Sequence, residues 1–434
     1  MKSSRIIGVI AAIALTGTCC GQGIGTIYGT VTDPSGAAIA GARVTAVLTA
    51  RGTTREGTTT ATGEYAFAAL PIGTYDVRVT APGFQQFQHQ GVTLDANQNV
   101  RVDASLNVGN VNEAVTVTAE APLVENRSAT MGTLIDERRI VDLPTNGRNV
   151  ISLATLLPGV SDVSAPQTFT GDRSGPTVSM SGTKGNMNLF LFDGQDYTAV
   201  FRNTGLNYPP PDAVQEVKVL TSNFSAEYGH NAGGVFNVVT KSGTNQVHGT
   251  LWEFVRNSAF NARNFFAATN QQNSQNQFGA AAGGPIKKDK LFVFGSYEGL
   301  RIRQGALASG GFPLTAEERA GNFSGQKTIT DPQTGRPFPG NQIPTDRFDP
   351  VAKAILSKPG LMPLPNGPGG SLIEPYAQPQ NNDQGLIRVD YNLSEKHLLT
   401  GRYNQNYATQ ISIGGNVPSY ETIFNSARVQ SVTI

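Results

Sequence analysis

The sequence has almost no excess charge, few cysteines and no long apolar runs, and each shortage excludes a class of protein. It contains 33 Lys and Arg residues against 32 Asp and Glu residues, which gives a net charge of +1. This balance argues against nucleic acid as a partner, because nucleic acid is bound by basic surfaces. The mean hydropathy of −0.21 excludes a bundle of membrane helices. It is compatible with a membrane β-barrel, because alternating strands dilute the hydropathy signal.

The composition favours a β-rich chain with many turns. Charged residues make up 15% of the 434 residues, against roughly 25% in a typical soluble domain. Glycine contributes 49 residues, which is above its average usage of roughly 7%. A chain of this length has room for about two to four domains. We therefore predict a mainly β protein of several domains.

Residues 1–21 are typical of a signal peptide for export. A basic start is followed by an apolar stretch, residues 6–15, that is too short for a bilayer core of roughly 30 Å. The two cysteines, Cys19 and Cys20, lie at or before the expected cleavage position. Lipidation of either cysteine is left open. After cleavage, the mature chain is expected to have no disulfide, no thiolate nucleophile and no Cys-ligated metal.

Residues 26–109 alternate between apolar and polar positions in short segments separated by turn residues. Tyr75, Val77 and Val79 are expected on an inner face, while the residues between them face water. Several such strands in about 80 residues predict a small β-sandwich. The stretches GTVTDPSGAAIAGARV and TGEYAFAALPIGTYDVRVTAPGF resemble the carboxypeptidase regulatory-like domain. The resemblance implies a transthyretin-like fold of the carbohydrate-binding-like class and no peptidase activity.

The next segment, residues 112–120, contains a short alternating run: Glu113, Ala114, Val115, Thr116, Val117, Thr118 and Ala119. From periodicity alone, this run is one more strand. It also resembles the TonB box of outer-membrane receptors in its acidic start and its VTVTA end. Such a box must be extended and unpaired, so that a partner can add it as a strand. Because it lies just before a plug-like region, we favour the box and assign these residues to binding TonB, the periplasmic energy-transducing protein.

Residues 123–244 resemble the plug domain of TonB-dependent receptors. The resemblance rests on three stretches in order: LPTNGRNVISLATLLPGV, VSMSGTKGNMNLFLFDGQD and DAVQEVKVLTSNFSAEYGHNAGGVFNVVTKSGTN. The residues themselves predict short strands and a helix over 150–157, which Pro158 and Gly159 end. This mixed α+β unit is too polar to span a membrane, which suits a domain inside a barrel.

Residues 247–434 have longer strand patterns, as expected for the start of an outer-membrane antiparallel β-barrel. The predicted strands are 248–257, 277–286, 291–302, 384–392 and 398–406. Between them, residues 303–383 are rich in Pro, Gly, Asn and Gln and are predicted to form a long loop. Short turns at one end and long loops at the other are typical of outer-membrane barrels. In a soluble protein the same segment would be a disordered linker.

Side chains on the predicted barrel strands divide into two faces. Ile387, Val389 and Tyr391 alternate with Arg388 and Asp390, so apolar and charged residues lie on opposite sides. Aromatic residues often form the girdles at the two membrane interfaces. We expect four of them on the lipid face or in such a girdle, rather than in a ligand-stacking platform: Trp252, Phe254, Phe292 and Phe294.

From the expected signal peptide onward, the order of segments resembles the Oar-like family of TonB-dependent outer-membrane proteins. The resemblance implies location in the outer membrane and contact with its lipid. A plugged barrel of this type has about 22 strands, whereas this sequence supplies only five or six and ends within a strand-like pattern. We therefore expect a fragment or a truncated gene product.

The function implied by the resemblance is that of a receptor and transporter. It would bind an extracellular ligand, with carbohydrate and peptide as candidates, and couple uptake to TonB. The alternative is a structural or adhesive surface protein whose sandwich binds carbohydrate or peptide without transport.

No enzyme activity is expected, and no catalytic, cofactor-binding or metal-binding residue is predicted. The four histidines are scattered without metal-ligand spacing: His89, His230, His248 and His397. Asp193 and Asp196 offer loop oxygens for Ca²⁺, but no third ligand accompanies them.

Overall fold

Three consecutive β-rich units make up the structure, a computed structural model. It describes residues 24–109, 114–117, 131–143, 145–164, 177–200, 202–229, 231–262, 273–358, 361–394, 397–413 and 422–434. The expected signal peptide lies outside these residues. None of the helices in the described part of the chain is long and apolar enough to cross a membrane. The mainly β fold class predicted from the sequence is confirmed.

The first unit is a two-sheet sandwich. Its strands are β1 (Ile24–Thr32), β2 (Arg43–Leu48), β3 (Thr53–Thr58), β4 (Glu64–Pro71), β5 (Gly73–Thr80), β6 (Gln86–Leu94), β7 (Asn99–Arg101), β8 (Ala104–Ser105) and β9 (Ala114–Val117). One sheet has the order β4-β1-β7, with β8 also paired to β1, and the other has the order β3-β2-β5-β6-β9. The alternation predicted for β5 is confirmed, because Tyr75, Val77 and Val79 are buried in the core between the sheets.

The second unit is the mixed α+β segment that resembles a plug. Its strands are β10 (Met131–Asp136), β11 (Val160–Asp162), β12 (Val178–Met180), β13 (Leu189–Phe192), β14 (Gln195–Asp196), β15 (Val214–Ser222) and β16 (Val235–Thr240), and its α-helix is α1 (Glu137–Asp142). Short 3₁₀ helices cover Asn146–Arg148, Val150–Leu156, Pro211–Ala213 and Ala226–Tyr228. The main sheet has the order β10-β15-β16-β13-β14, and β11 pairs with β12.

The helix predicted over 150–157 is present as the 3₁₀ helix Val150–Leu156. The Asn149 side chain caps its start by accepting the Ile151 N–H at 2.9 Å, a typical N-cap contact. Gly159, which has φ of +76°, lies in the turn that follows. The helix buries Ile151 and Leu153 against the plug sheet.

The third unit is a sheet of long antiparallel strands, which we call the wall. It contains β17 (His248–Asn257), β18 (Asn273–Lys287), β19 (Leu291–Gly311), β20 (Leu372–Ala377), β21 (Gln380–Ser394), β22 (His397–Ile413) and β23 (Thr422–Thr433). The order is β17-β18-β19-β21-β22-β23, and β20 pairs with the far end of β19. Short turns join β18 to β19 and β21 to β22. The last pairs before these turns are Lys287 with Leu291 and Ser394 with His397. These two short turns lie at the same end of the wall.

The prediction of a loop over 303–383 is wrong at both edges. β19 continues to Gly311, and β20 and β21 begin before residue 383. The remaining segment contains the α-helices α2 (Ala316–Arg319) and α3 (Pro350–Ser357) and 3₁₀ turns at Pro339–Asn341, Thr345–Arg347 and Pro368–Gly370. A further 3₁₀ turn, Ser258–Phe260, follows β17. The local composition did not predict the end of β19 or the start of β20, because these strands are stabilised by pairing between residues far apart in the sequence, such as Gly305 with Ala377.

The two faces of the wall have reversed polarity compared with a soluble sheet. Along β21, Arg388 and Asp390 are buried, whereas Ile387 and Tyr391 on the other face are exposed. The predicted alternation is therefore confirmed, with the charged side facing the plug. Exposed apolar side chains continue along the outer face of β22, at Leu399 and neighbouring positions. Apolar residues outside and polar residues inside are the pattern of a membrane barrel wall.

Two aromatic residues expected on the lipid face lie on the inner face instead. Phe292 and Phe294 are 0% and 2% exposed, and Phe294 belongs to the core of the plug. That core also includes Ala281 and Leu386 from wall strands. The expectation was wrong because the strand pattern separates two faces but does not show that a second domain covers one of them.

Candidate functional site

The predicted TonB box lies at the edge of the sandwich. Of its residues, Ala114, Val115, Thr116 and Val117 form strand β9, and Glu113, Thr118 and Ala119 lie outside the described residues. β9 runs parallel to β6 and is the last strand of its sheet in the described part of the chain. The segment is extended, as a box must be, but one of its edges is paired with β6.

Backbone contacts guide the chain to this position. Between the end of the sandwich and the box, the Gln85 N–H donates to the Asn107 carbonyl at 2.8 Å, and the Gly109 N–H donates to the Gly83 carbonyl at 3.2 Å. Phe84 and Val108 form an antiparallel bridge at the same point. These contacts hold the chain beside the start of β6 just before the box.

A buried charged cluster, which we call the junction, joins the plug to the wall. Asp193, in the tight turn between β13 and β14, accepts the Thr240 N–H at 2.7 Å. It also forms ion pairs with Arg402 of β22 and with Arg388 of β21, the latter at 3.6 Å. The guanidinium of Arg402 lies over the Phe192 ring, 3.6 Å from its centroid. Buried charges require such pairing, since an isolated buried charge is costly.

The sandwich enters the same junction through the turn between β2 and β3. Arg51 in that turn forms an ion pair with Asp390 of β21 at 3.3 Å and a hydrogen bond with Ser242. Asp390 is also bound by Arg388 at 3.0 Å and accepts the Thr400 hydroxyl at 2.7 Å. Burial lowers the pKa of the Arg51 guanidinium, and Asp390 opposes that shift. The Ser242 hydroxyl of the plug also donates to Asp390 at 2.5 Å, so this wall carboxylate is shared by the sandwich, the plug and the wall.

A second sandwich turn contacts the plug sheet. The Ala96 N–H donates to Glu216 at 2.8 Å, and the Lys218 ammonium donates to the Ala96 carbonyl at 2.8 Å. Asn97 forms a hydrogen bond with Tyr228. Burial raises the pKa of Glu216 to about 7, although the Ala96 N–H opposes the shift. We call this contact the plug foot of the sandwich.

A cavity of about 380 Å³ lies between the junction and the plug foot. Its lining includes Thr74 and Asp95 of the sandwich, Thr240 of the plug and Arg388 and Arg402 of the wall. The sandwich therefore touches the plug at separate points with a gap between them, rather than through one continuous packed face.

The sandwich contacts the wall at the end with short turns. The Asn245 N–H donates to the Ala50 carbonyl at 3.0 Å, and the Asn245 amide donates to Asp289, in the turn between β18 and β19, at 2.7 Å. Asn392 near the other short turn donates to Thr53 of β3 at 2.8 Å. In outer-membrane barrels the short turns are periplasmic. The sandwich is therefore at the end of the wall that corresponds to the periplasmic end of such barrels.

A further plug contact uses the two remaining aromatic residues. Arg148 of the plug forms ion pairs with Asp212 and, at 3.6 Å, with Glu298 of β19. Its guanidinium lies 5.5 Å from the Trp252 ring centroid and 4.3 Å from that of Phe254. These aromatic side chains were expected to face lipid, but they face the plug. The expectation failed for the same reason as for the buried aromatic residues of β19.

Sequence reasoning missed the junction as a functional feature. Arg388 and Asp390 were recognised only as a polar strand face, and Asp193 only as a weak calcium ligand. The signal that was available is the charged side chain at every second position of an otherwise apolar strand. Among the described residues, no group of three or more His, Cys, Asp or Glu side chains could hold a metal ion. Asp193 instead has arginine partners.

Three family models match consecutive parts of the chain. The carboxypeptidase regulatory-like domain matches residues 26–107, the TonB-dependent receptor plug domain matches 126–235, and the outer membrane beta barrel domain matches 239–432. The chain therefore combines a regulatory-like domain, a plug domain of the TonB-dependent receptor type and part of an outer-membrane barrel domain. The last match also identifies it as an outer-membrane protein.

Two curated proteins are similar to the chain. The TonB-dependent transporter Oar of Myxococcus xanthus is 30% identical over 67% of this chain and 28% of its own length. A probable TonB-dependent siderophore receptor of Acinetobacter baumannii, PirA, is 28% identical over 43% of this chain and 24% of its own length. The chain spans about a quarter of the length of these curated relatives.

Solved structures of an outer membrane transporter and a siderophore receptor are also similar. The outer membrane transporter YddB of Escherichia coli covers 65% of this chain and 33% of its own, with 13% identity and a TM-score of 0.41. The siderophore receptor PirA of Acinetobacter baumannii covers 73% and 45%, with 17% identity and a TM-score of 0.35.

Proposed function

We propose that the protein to which this chain belongs is an outer-membrane receptor that takes up an extracellular ligand with energy from TonB. The observation that carries the proposal is the order of three features along the chain. A short strand at a sheet edge is followed by a plug, and the plug packs against the polar face of a wall whose outer face is apolar. In this proposal, residues 113–119 are the TonB box, and no step requires catalysis.

The junction is the proposed site of plug retention. Its ion pairs join Asp193 of the plug to Arg388 and Arg402 of the wall, so a displaced plug must break them. The ligand is proposed to enter from the end opposite the short turns, where the long segment between β19 and β20 lies. The sandwich lies on the side of the plug where the proposed TonB box is, away from the proposed entry of the ligand. Its resemblance to carbohydrate-binding-like folds therefore does not identify the ligand. An adhesive surface protein has less support, because the curated relatives are named as a transporter and a receptor.

The test of the proposed function is binding of the purified C-terminal domain of TonB to the full chain in detergent. Val117→Pro removes a backbone donor and fixes φ, so it should abolish strand addition. Val117→Ala is the matched control and should weaken binding only modestly. Thermal midpoints are measured on the same samples. Lost affinity with an unchanged midpoint supports the box, whereas a lower midpoint would identify an ordinary structural strand.

A further inference from the structure

The outer edge of β6 is occupied by the segment that we assign to TonB. In the register, Gln86, Phe87, Gln88 and His89 of β6 are opposite Ala114, Val115, Thr116 and Val117 of β9, respectively. A partner that takes β9 by strand addition needs one of its edges. If TonB pairs with the edge that faces β6, it must displace β6.

β9 can leave β6 without unfolding the sandwich. It has four residues and pairs in parallel, which is slightly less stable per residue than antiparallel pairing. The sandwich core ends along the sequence at Leu106, and the backbone contacts up to Gly109 hold the chain independently of β9. Release of β9 therefore costs only the edge pairing and leaves the core intact.

Loss of β9 would expose a new edge. β6 pairs with β5 on its other side, so loss of β9 would leave residues 86–89 of β6 as an unpaired edge. One of these residues, Phe87, has a buried side chain. Unpaired edges are prone to adding a strand. The strand most available to refill this edge is β9 itself, because it is tethered a few residues away and is present at high effective concentration.

We propose that TonB pairs with the edge of β9 that faces β6, so that β6 and TonB compete for residues 114–117 and the sandwich is a built-in competitor for the TonB box. This inference rests on the proposed function of the box. The apparent affinity for TonB is then reduced by the fraction of chains in which β9 is paired with β6. The interaction surface is the edge of β6, and its occupant is a strand of the same chain.

The first test asks whether the pairing exists in the full chain in detergent. Cys19→Ser and Cys20→Ser remove the natural thiols, and Gln88→Cys with Thr116→Cys places two thiols at opposed positions of the register. Gln88→Cys with Val117→Cys is the matched control, because successive strand residues point to opposite faces. Mild oxidation should cross-link the opposed pair rapidly and the offset pair slowly. Equal rates for both pairs, or no cross-link in either, would overturn the pairing and the competition.

The second test measures binding of the purified C-terminal domain of TonB. A synthetic peptide of residues 110–122 should bind about tenfold more tightly than the full chain, since it has no competing strand. Oxidation of the opposed pair should lower binding by more than tenfold, and reduction should restore it. Equal affinities of peptide and chain, or unchanged binding after cross-linking, would overturn the competition alone. A peptide that does not bind would overturn the proposed box function and, with it, the competition.

Discussion

Arg51 and Asp390, which are 339 positions apart in the sequence, form an ion pair at 3.3 Å in which both side chains are almost fully buried. The first belongs to a sandwich turn and the second to a wall strand. Asp390 also binds Arg388, which in turn contacts Asp193 of the plug. The pair therefore joins the sandwich to the contact between the plug and the wall, so the sandwich is not a separate domain on a tether.

Removing the arginine should loosen the sandwich. Arg51→Ala leaves Asp390 with Arg388, Ser242 and Thr400 as partners but removes a buried charged contact, which should cost about 2 kcal/mol. Limited proteolysis of the full chain in detergent should then release the sandwich faster than in the wild type. Arg43→Ala is the control, since its ion pair with Glu56 is exposed and should contribute little. Equal release from both variants would contradict the anchoring by Arg51.

Removing the plug carboxylate should destabilise the junction more strongly. Asp193→Asn leaves Arg402 without its buried ionic partner and weakens the site of Arg388, at an expected cost of about 3 kcal/mol. The urea midpoint of the full chain in detergent measures the loss. Asp383→Asn is the matched control, because the Arg301–Asp383 pair is partly exposed on the wall. A midpoint for Asp193→Asn no lower than for Asp383→Asn would show that the junction does not hold the plug.

Contact between the sandwich and the plug should weaken as the pH rises. Burial raises the pKa of Glu216 to about 7, above its ordinary value of 4.5. Its contribution is therefore fully present below about pH 4.5 and is lost as the pH rises towards 7, because only the separated state ionises freely in that range. Asp95, whose pKa is also raised by burial, acts in the same direction, and Lys218 opposes both.

The measurement for this prediction is protease sensitivity of the turn at residues 95–98 between pH 4.5 and 7.5. Sensitivity should increase with pH in the wild type and increase less in Glu216→Gln, which keeps an acceptor for the Ala96 N–H. Glu56→Gln, on an exposed face of the sandwich, should leave the wild-type profile unchanged. A profile that is identical in the wild type and Glu216→Gln would exclude Glu216 as the titrating group.

The outer face of the wall should not tolerate charge. Ile387 is near the middle of β21 and is exposed on the apolar face. A lysine there would face lipid, at an expected cost of about 2–4 kcal/mol near the bilayer midplane. Ile387→Lys should reduce recovery of the chain in the outer-membrane fraction. Val108→Lys, at an exposed apolar position of the sandwich, should have no effect, and equal recovery of both variants would argue that this face is in water.

The sequence was sufficient for the features that depend on local pattern. The faces of β21 could be predicted because Ile387 and Arg388 belong to an alternation of period two. The sequence could not predict which of the two faces lies inside. The strand pattern places Phe292 on one face but does not show that the plug covers that face. The pairing of Arg51 with Asp390 could not be predicted either, because nothing local to either residue specifies a partner 339 positions away.

The core shared by the plug and the wall has a consequence for biogenesis. Phe294, Ala281 and Leu386 of the wall complete the apolar cluster that begins with plug residues such as Ile140 and Phe236. A plug that reaches the periplasm before the wall strands have assembled thus lacks part of its own interior and leaves apolar side chains uncovered. Such a species is aggregation-prone and requires chaperones. We therefore expect completion of the plug core and assembly of the barrel wall to be coupled in this protein, rather than successive.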